Sequence, residues 1–486
     1  MLRQGISVGA ITFISRITGF FRAFLIAYYF GSSGVTDAYF SAFKISNFFR
    51  QLLGEGALGN SFIPLYNKLE ENEGEKRGKE FIFSVLNLLF IFSTVVTIIM
   101  IIFSDGIISA IVGGFPPETK ALASELLKIM SIYFVFISLS GMIGAMLNNF
   151  RHFLVPASTS IFFNLAIIGS AILCGRKYGI NALAWGVVIG GVLQFLVVLP
   201  TFFKIVKTYS FKINWKDPYI KKLVIMTLPM LVGIMARQLN TVVDQWFASG
   251  LETGAVTALE NATRLYLLPV GVFGVSLSTV IYPSLAQAIA KKKTDIAERY
   301  IVKGLNILLF LVIPSIFVLT FFSEDVVRLT LSYGKFGEDA VKVTSEALLY
   351  YSVGLYFYTG VFLMTRAFYS MENSKFPVIS SAISIVINIV LNFVFIGPFG
   401  YKGLALSTAI AAGVNFMQLL FEYRRKYICF NLKNTFKFLI KSSVISFIAF
   451  LVSFKIDFSL LKLVVFGVIY LAFWGRDLYK NKMEVF

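Results

Sequence analysis

The sequence predicts an all-α polytopic membrane protein, and three observations lead to this fold class. Hydrophobic residues make up 57% of the 486-residue chain and charged residues only 14%, and the mean hydropathy is +0.78, well above that of a soluble domain. At about 20 apolar residues per crossing, the hydrophobic fraction would fill about fourteen membrane helices. Runs such as 81–103 are continuously apolar and longer than a barrel strand, which excludes an outer-membrane barrel.

Apolar runs bounded by Gly, Pro or charged residues set the order of the predicted helices. Arg16 and Arg22 interrupt the first run, and no small-residue cleavage site follows it, so this run is expected to stay in the mature protein as the first helix. The predicted helices cover residues 4–30, 36–69, 80–104, 120–148, 154–175, 180–206, 221–249, 255–289, 299–322, 340–370, 376–397, 402–425, 435–455 and 459–478.

Basic residues cluster in alternate loops, and this bias orients the helices. The loops after even-numbered helices contain the basic clusters 76–79, 204–222, 291–293 and 424–426. The intervening loops, such as 31–36, 250–254 and 397–401, contain almost no Lys or Arg, with Arg176, Lys177 and Lys335 as exceptions. By the positive-inside rule both termini are cytoplasmic. The formal charge of +18 has the same explanation, so no nucleic-acid partner is expected.

The chain contains an internal repeat. Pro156 pairs with Pro377, and Gly179 with Gly400, at a shift of about 221 residues. Two six-helix lobes follow, and they have the same orientation because six is even, so a pseudo-twofold axis along the membrane normal relates them. The predicted domains are the lobes 1–210 and 211–430 and an additional helix pair at 431–486.

Each lobe has a Gly- or Pro-containing break in its second helix. The breaks lie at 54–59 and 268–274, close to equivalent positions under the repeat shift. Such paired interruptions indicate a transport site at the interface between repeats. Close helix packing through small residues would explain them equally well, and both interpretations stay open.

Arginine residues inside the predicted helices outnumber their acidic neighbours. A buried arginine costs several kcal/mol unless it is paired or hydrated, so this excess favours a water-filled cavity that binds an anion. The planar guanidinium suits phosphate. The alternative is internal pairing, for instance of Arg50 with Glu55 or of Arg264 with Glu260. The candidate residues of the substrate cavity are Arg16, Arg22, Arg50, Arg264, Asp37, Glu55 and Arg366.

A coupling-cation site is predicted from residues at one depth near the outer face. Asp244, Asn392 and Thr408 lie five or six residues from the outer ends of their predicted helices, and Asn388 lies one turn below Asn392. One carboxylate with neutral amide and hydroxyl oxygens suits a monovalent ion such as Na⁺. Alternatively, Asp244 is hydrated near the outer face or interacts through water with Arg237. No other cofactor is expected, because the sequence has no P-loop or metal cluster.

Three stretches of the sequence resemble a known family. They are SRITGFFRAFLIAYYFG at 15–31, TDAYFSAFKISNFFRQLLGEGALGNSFIPLY at 36–66 and RLYLLPVGVFGVSLSTVIYPSL at 264–285. They are similar to the lipid II flippases (the MurJ family, formerly MviN) of the multidrug/oligosaccharidyl-lipid/polysaccharide exporter superfamily, and the similarity extends over the whole chain. Two departures are Ser46-Asn47 in place of the usual Pro-Asn and Arg50-Gln51 in place of the usual Arg-Arg.

The resemblance implies a function and a location. The protein would move undecaprenyl-diphosphate-linked peptidoglycan precursor, lipid II, from the inner to the outer leaflet of the bacterial cytoplasmic membrane by alternating access. The family's cavity arginines would be Arg16, Arg22, Arg50 and Arg264, with Asp37 and Glu55 as acidic partners; the final helix pair would form the groove for the lipid tail. We expect a monomer whose partners are lipid II and membrane lipids.

The alternative functions differ in the charge that the substrate cavity would need. A flippase for another polyprenyl-diphosphate glycan would need the same arginines. A cation-coupled multidrug exporter would need an acidic cavity, opposite to the charge excess in this sequence. A polyprenyl-transfer enzyme would need a carboxylate-rich metal site or a catalytic base, and the sequence indicates neither. We therefore expect a transporter, driven by the membrane potential at about 2.3 kcal/mol per charge per 100 mV.

Overall fold

The chain folds into helices joined by short loops. The computed structural model describes residues 2–53, 57–211 and 213–480, and these ranges contain no β-strand, which confirms the all-α prediction. The helices are α1 (Leu2–Phe30), α2 (Gly34–Leu53), α3 (Ala57–Glu73), α4 (Glu75–Ile102), α5 (Ser104–Ile111), α6 (Pro117–Ser131), α7 (Tyr133–Asn149), α8 (Leu154–Tyr178), α9 (Asn181–Val206), α10 (Pro218–Ser249), α11 (Ala255–Pro269), α12 (Ser276–Ala290), α13 (Thr294–Phe321), α14 (Ser323–Leu331), α15 (Glu338–Val353), α16 (Leu355–Ser370), α17 (Lys375–Phe399), α18 (Tyr401–Lys426), α19 (Lys433–Ser453) and α20 (Ser459–Lys480), with a π-helical segment, Val270–Val275, between α11 and α12.

Each predicted run coincides with one helix or with helices joined at a break. In the described chain nine helices are long and apolar enough to cross a membrane, or eleven if the bent pairs α6–α7 (40°) and α15–α16 (45°) each make one crossing. The other three predicted crossings fall on α2–α3, α10 and α20, so the number fourteen stays a prediction. Two short helices were not predicted: α5 and α14 begin about 219 residues apart, close to the repeat shift of about 221 residues.

Contacts between helices divide the chain into two compact units. The first comprises Met1–Thr257 with Gly334–Phe336, and the second comprises Ala258–Tyr333 with Gly337–Phe486. The domain boundaries predicted at 210 and 430 follow the sequence repeat instead, and they stay a prediction. By contacts, α10 groups with the first unit because it packs against α2, α3, α4 and α5.

The linker 207–217 holds α10 in the first unit. Arg77 of α4 donates to Asp217 at 2.6 Å, and Asp217 in turn caps α10 by accepting from the Tyr219 backbone N–H at 2.9 Å. Nearby, Asn87 of α4 donates to the Ser210 carbonyl at 2.9 Å. Burial raises the pKa of Tyr209, which keeps its hydroxyl in the donor form. The linker is thus attached along α4.

A three-residue segment, which we call the 334–336 strap, joins the first unit from the loop after α14. The Lys335 backbone N–H donates to the Tyr28 carbonyl at the end of α1, at 2.9 Å. Gly31 and Gly334 both have positive φ, +68° and +65°. A Cβ on Gly31 would lie 2.5 Å from the Lys335 oxygen, and one on Gly334 would lie 2.3 Å from the Tyr28 oxygen. Only glycine allows the two backbones to approach so closely.

The second unit includes the additional helix pair. Apolar side chains of α19 and α20, among them Trp474 (1% exposed), pack on Phe310 of α13 and Phe322. An ion pair joins α14 to α20, because Lys462 Nζ lies 3.0 Å from Asp325. The pair α19–α20 is therefore part of the core of this unit.

Candidate functional site

Arg22 lies on α1 in the first unit, among aromatic rings. Its guanidinium carbon is 5.7 Å from the ring centroid of Phe43 on α2 and 5.6 Å from that of Phe163 on α8. Stacking of this kind uses the face of the guanidinium, whereas hydrogen bonds to phosphate use its edge. The aromatic contacts therefore orient Arg22 without using the edge that would recognise an anion.

The other two predicted arginines of this unit lie on α1 and α2. Arg16 is exposed on α1. Arg50 is half-buried on α2, and its Nε donates to Asn47 Oδ1 one turn earlier at 2.5 Å. Glu55, the predicted partner of Arg50, lies outside the described residues.

Asp37 of α2 contacts the N-terminal end of α11. Its side chain is 2% exposed and accepts hydrogen bonds from the Gly254 N–H (2.6 Å), the Thr257 N–H (2.8 Å) and the Thr257 hydroxyl (2.6 Å). These groups form the first turn of α11, where helix N–H donors have no partner within the helix. These three contacts of Asp37 cap α11, and a role beside the arginines stays a prediction.

Lys44 is a further cation on α2 that the sequence analysis did not single out. Its ammonium donates to Gln245 Oε1 on α10 at 3.1 Å, and Gln245 Nε2 donates to Ser41 at 2.7 Å. Asp37, Ser41 and Lys44 follow the i, i+4, i+7 spacing of one helix face. This spacing was the feature of the sequence that could have identified Lys44. The lysine adds positive charge to α2, the helix that also contains Arg50.

The second unit contains the other two predicted arginines. Arg264 forms an i, i+4 ion pair with Glu260 at 3.2 Å, both partly buried, which is the internal pairing that the sequence analysis had kept open. Arg366 is exposed on α16, with its guanidinium carbon 5.4 Å from the Tyr282 ring centroid. The π-helical segment Val270–Val275 follows Arg264 by six residues and coincides with the predicted break at 268–274. The corresponding break at 54–59 lies partly outside the described residues.

Three of the four predicted cation ligands come together in the second unit. Asn388 donates to Thr408 Oγ1 at 3.4 Å, and Asn392, which is 0% exposed, donates to Asn388 Oδ1 at 3.2 Å. Asp244 belongs to the first unit, where Asn240 donates to its carboxylate at 3.2 Å. The four-residue site therefore stays a prediction. Among the described residues, no group of three or more His, Cys, Asp or Glu side chains could hold a metal ion.

The fold and these side chains define a class of protein. A chain of long apolar helices with an internal sequence repeat belongs to the class of multi-pass membrane transporters. A model of the lipid II flippase MurJ family matches residues 26–473. The chain belongs to the lipid II flippase MurJ family, as the resemblance indicated, and this is a family of transporters, not of enzymes.

Individual relatives agree with the family assignment. The lipid II flippase MurJ of Burkholderia cenocepacia is 30% identical over 434 residues, which are 88% of this chain and 84% of that protein. The probable lipid II flippase MurJ of Buchnera aphidicola subsp. Acyrthosiphon pisum is 35% identical over 433 residues, 88% of this chain and 85% of that protein.

Solved structures agree at the level of the fold. A lipid II flippase MurJ in an inward closed conformation superposes with a TM-score of 0.86 at 32% identity, covering 98% of this chain and 99% of that one. An inward-facing multidrug resistance MATE transporter of the MOP superfamily matches with a TM-score of 0.72 at 14% identity, covering 86% of this chain and 98% of that one. At that identity the MATE protein shares the fold alone.

Proposed function

We propose that this protein flips lipid II from the inner to the outer leaflet of the bacterial cytoplasmic membrane by alternating access. The observation that carries the proposal is the alignment of 98% of the chain with a flippase structure at 32% identity. A net negative head group that moves outward gains about 2.3 kcal/mol per charge per 100 mV of inside-negative potential. The membrane potential can therefore bias the cycle.

Arg16, Arg22, Arg50 and Arg264 are proposed to bind the diphosphate of the substrate. The guanidinium edge of Arg22, oriented by Phe43 and Phe163, supports this role most directly. Arg264 would exchange its hydrogen bond to Glu260 for bonds to phosphate. Asp37, Glu55 and Arg366 are assigned to the same cavity on the sequence analysis alone.

The experiment is genetic rescue of cells depleted of their own lipid II flippase. The wild-type gene should restore growth, and Arg22→Ala should not, although the variant protein reaches the membrane in normal amount. Arg22→Lys should rescue poorly because lysine keeps the charge but loses the bidentate fork. Arg176→Ala, at the exposed end of α8, is the matched control and should rescue fully. Failure of the wild-type gene would favour a flippase for another polyprenyl-diphosphate glycan.

Transport is proposed to be coupled to Na⁺ through Asp244, Asn388, Asn392 and Thr408. The hydrogen-bonded group of two amides and one hydroxyl on α17 and α18 supports this site, because neutral oxygens with one carboxylate suit a monovalent cation. The chain is proposed to act as a monomer.

Both termini are proposed to lie in the cytoplasm, and cysteine labelling tests this topology. Cys174 and Cys429 are both free and are replaced first. Cysteines introduced by Ser33→Cys and Lys402→Cys should react from outside the membrane, and those introduced by Lys292→Cys should react only from inside. Reaction of the Ser33→Cys variant from inside would refute the proposed topology.

A further inference from the structure

Three lysines follow one another along the first half of α19. Lys433, Lys437 and Lys441 are exposed and lie four residues apart, and we call them the α19 lysine row. No acidic residue occurs between Glu422 and Asp457. The second half of the helix, 442–453, has no charged residue at all. Positive charge is therefore confined to one end of a candidate membrane span.

This arrangement is unfavourable for the helix by itself. Residues four apart on a helix are neighbours, so the row contains two repulsive pairs. Cations near a helix N-terminus also oppose the helix dipole, and α19 has no acidic residue in its first turn to offset this. The basic cluster 424–426 already supplies the topology signal before the helix begins. An anion bound along the row would remove the repulsion.

The deepest lysine of the row is held by an aromatic contact. Lys441 Nζ lies 4.6 Å from the ring centroid of Trp474 on α20, which is 1% exposed and packs against Phe438 of α19 and Phe310 of α13. The rise from Lys433 to Lys441 is about 12 Å, whereas the head-group layer of one leaflet is about 6 Å thick. The row is therefore long enough to reach from the water surface through the head-group layer to the edge of the hydrocarbon.

Apolar side chains continue from the row along α19. Ile440 is 49% exposed and Val444 is 51% exposed, one turn apart and next to Lys441. A ligand on this surface would meet cations first and hydrocarbon-compatible side chains immediately below. That order of chemistry matches a phospholipid, in which an anionic phosphate is joined to acyl chains.

We propose that the α19 lysine row binds an anionic phospholipid of the phosphatidylglycerol type. Its phosphate lies between Lys437 and Lys441, and an acyl chain lies along Ile440 and Val444. Lysine is suited to this site because a phosphate diester carries one charge and offers a point contact. The lipid belongs to the leaflet that contains the N-terminal end of α19, which is the cytoplasmic leaflet in the proposed topology. This binding does not depend on the flipping activity.

Native mass spectrometry of the purified full chain tests the proposal. Phosphatidylglycerol and phosphatidylcholine with identical acyl chains are titrated into the same detergent. Wild type should prefer phosphatidylglycerol about tenfold or more, since each basic residue near a membrane surface contributes an attraction of this order. The double variant Lys437→Gln with Lys441→Gln should lose most of that preference. The control variant, Lys291→Gln with Lys292→Gln, removes two positive charges from a loop and should keep the preference for phosphatidylglycerol.

Other outcomes would overturn the proposal. An unchanged preference in the Lys437/Lys441 variant would remove the row from lipid binding, as would the absence of any preference in wild type. Displacement of phosphatidylglycerol by equimolar undecaprenyl diphosphate would assign the row to the transported class of lipid instead. If the double variant does not fold, the preference of the wild-type protein for phosphatidylglycerol is measured at increasing ionic strength. Binding through the lysines predicts that the preference falls as ionic strength rises, and a preference that does not fall would refute the proposal.

Discussion

Replacing Asp37 by Asn should loosen the first turn of α11 while leaving the rest of the fold in place. The carboxylate accepts three hydrogen bonds, two of them at Oδ1 from Thr257 and one at Oδ2 from the Gly254 N–H. Asn has the same shape and keeps one acceptor oxygen for Thr257. Its NH₂ group would then face the Gly254 N–H, so two donors would meet in a buried site.

The size of the effect follows from those contacts. One hydrogen bond to a charged group is worth about 1.5–3 kcal/mol, and a buried unsatisfied donor costs about 1–3 kcal/mol. A loss of about 3 kcal/mol in local stability is expected, which corresponds to roughly a hundredfold faster opening of this turn. The change should be local, because the core of the first unit around Phe62 and Phe81 does not include Asp37.

Hydrogen exchange read by mass spectrometry measures this opening. Peptides covering 250–260 should exchange roughly a hundredfold faster in Asp37→Asn than in wild type, whereas peptides of α4 and α9 should not change. Asp105→Asn on α5 is the control, since that side chain is 76% exposed and should leave residues 250–260 unaffected. Equal exchange of 250–260 in Asp37→Asn and wild type would show that Asp37 does not cap α11.

Three further perturbations have defined outcomes. Asp325→Asn leaves the partly buried Lys462 without its counter-charge and should lower the free energy of unfolding by about 2 kcal/mol, which is measured as a lower unfolding temperature in detergent. A decrease in unfolding temperature no larger than that caused by breaking an exposed ion pair would contradict this prediction. Gly334→Ala should cost at least about 2 kcal/mol because of its positive φ and the close Tyr28 oxygen, whereas Gly337→Ala, with open space around it, should be neutral by the same measurement. Na⁺ should raise the unfolding temperature more than K⁺ does, and Asp244→Ala should abolish the difference; persistence of the Na⁺ effect in that variant would exclude the site.

Local patterns predicted the long helices but not the short ones. A run of more than twenty apolar residues is unambiguous, so the borders of α8, α9 and α18 were anticipated within a few residues. The helices α5 and α14 have only 8 and 9 residues and directly follow longer apolar runs, so they offer too few turns for a separate periodic signal. Their common position in the repeat was the clue available from the sequence.

Side-chain partners were predictable only over short distances in the chain. The pair Glu260–Arg264 is an i, i+4 spacing, and the sequence analysis named it. Asp37 and Thr257 are 220 residues apart, and no local rule connects a carboxylate at the start of one helix with the N–H groups of another. For the same reason, the sequence could group Asn388, Asn392 and Thr408 by depth, but it could not anticipate the hydrogen bonds between them.

The π-helical segment Val270–Val275 holds one residue more than a regular helix with the same number of turns would hold. A π-turn contains one residue more than an α-turn, and each residue of a regular helix turns the chain by about 100°. Deletion of a single residue in this segment would let α11 and α12 run on as one regular helix. The wider turn has already absorbed that residue, so the side chains from Ser276 to Ala290 would keep nearly their present direction relative to Arg264. A one-residue deletion in this segment should therefore be tolerated better than the same deletion in the regular part of α12, where every later side chain would turn by about 100°.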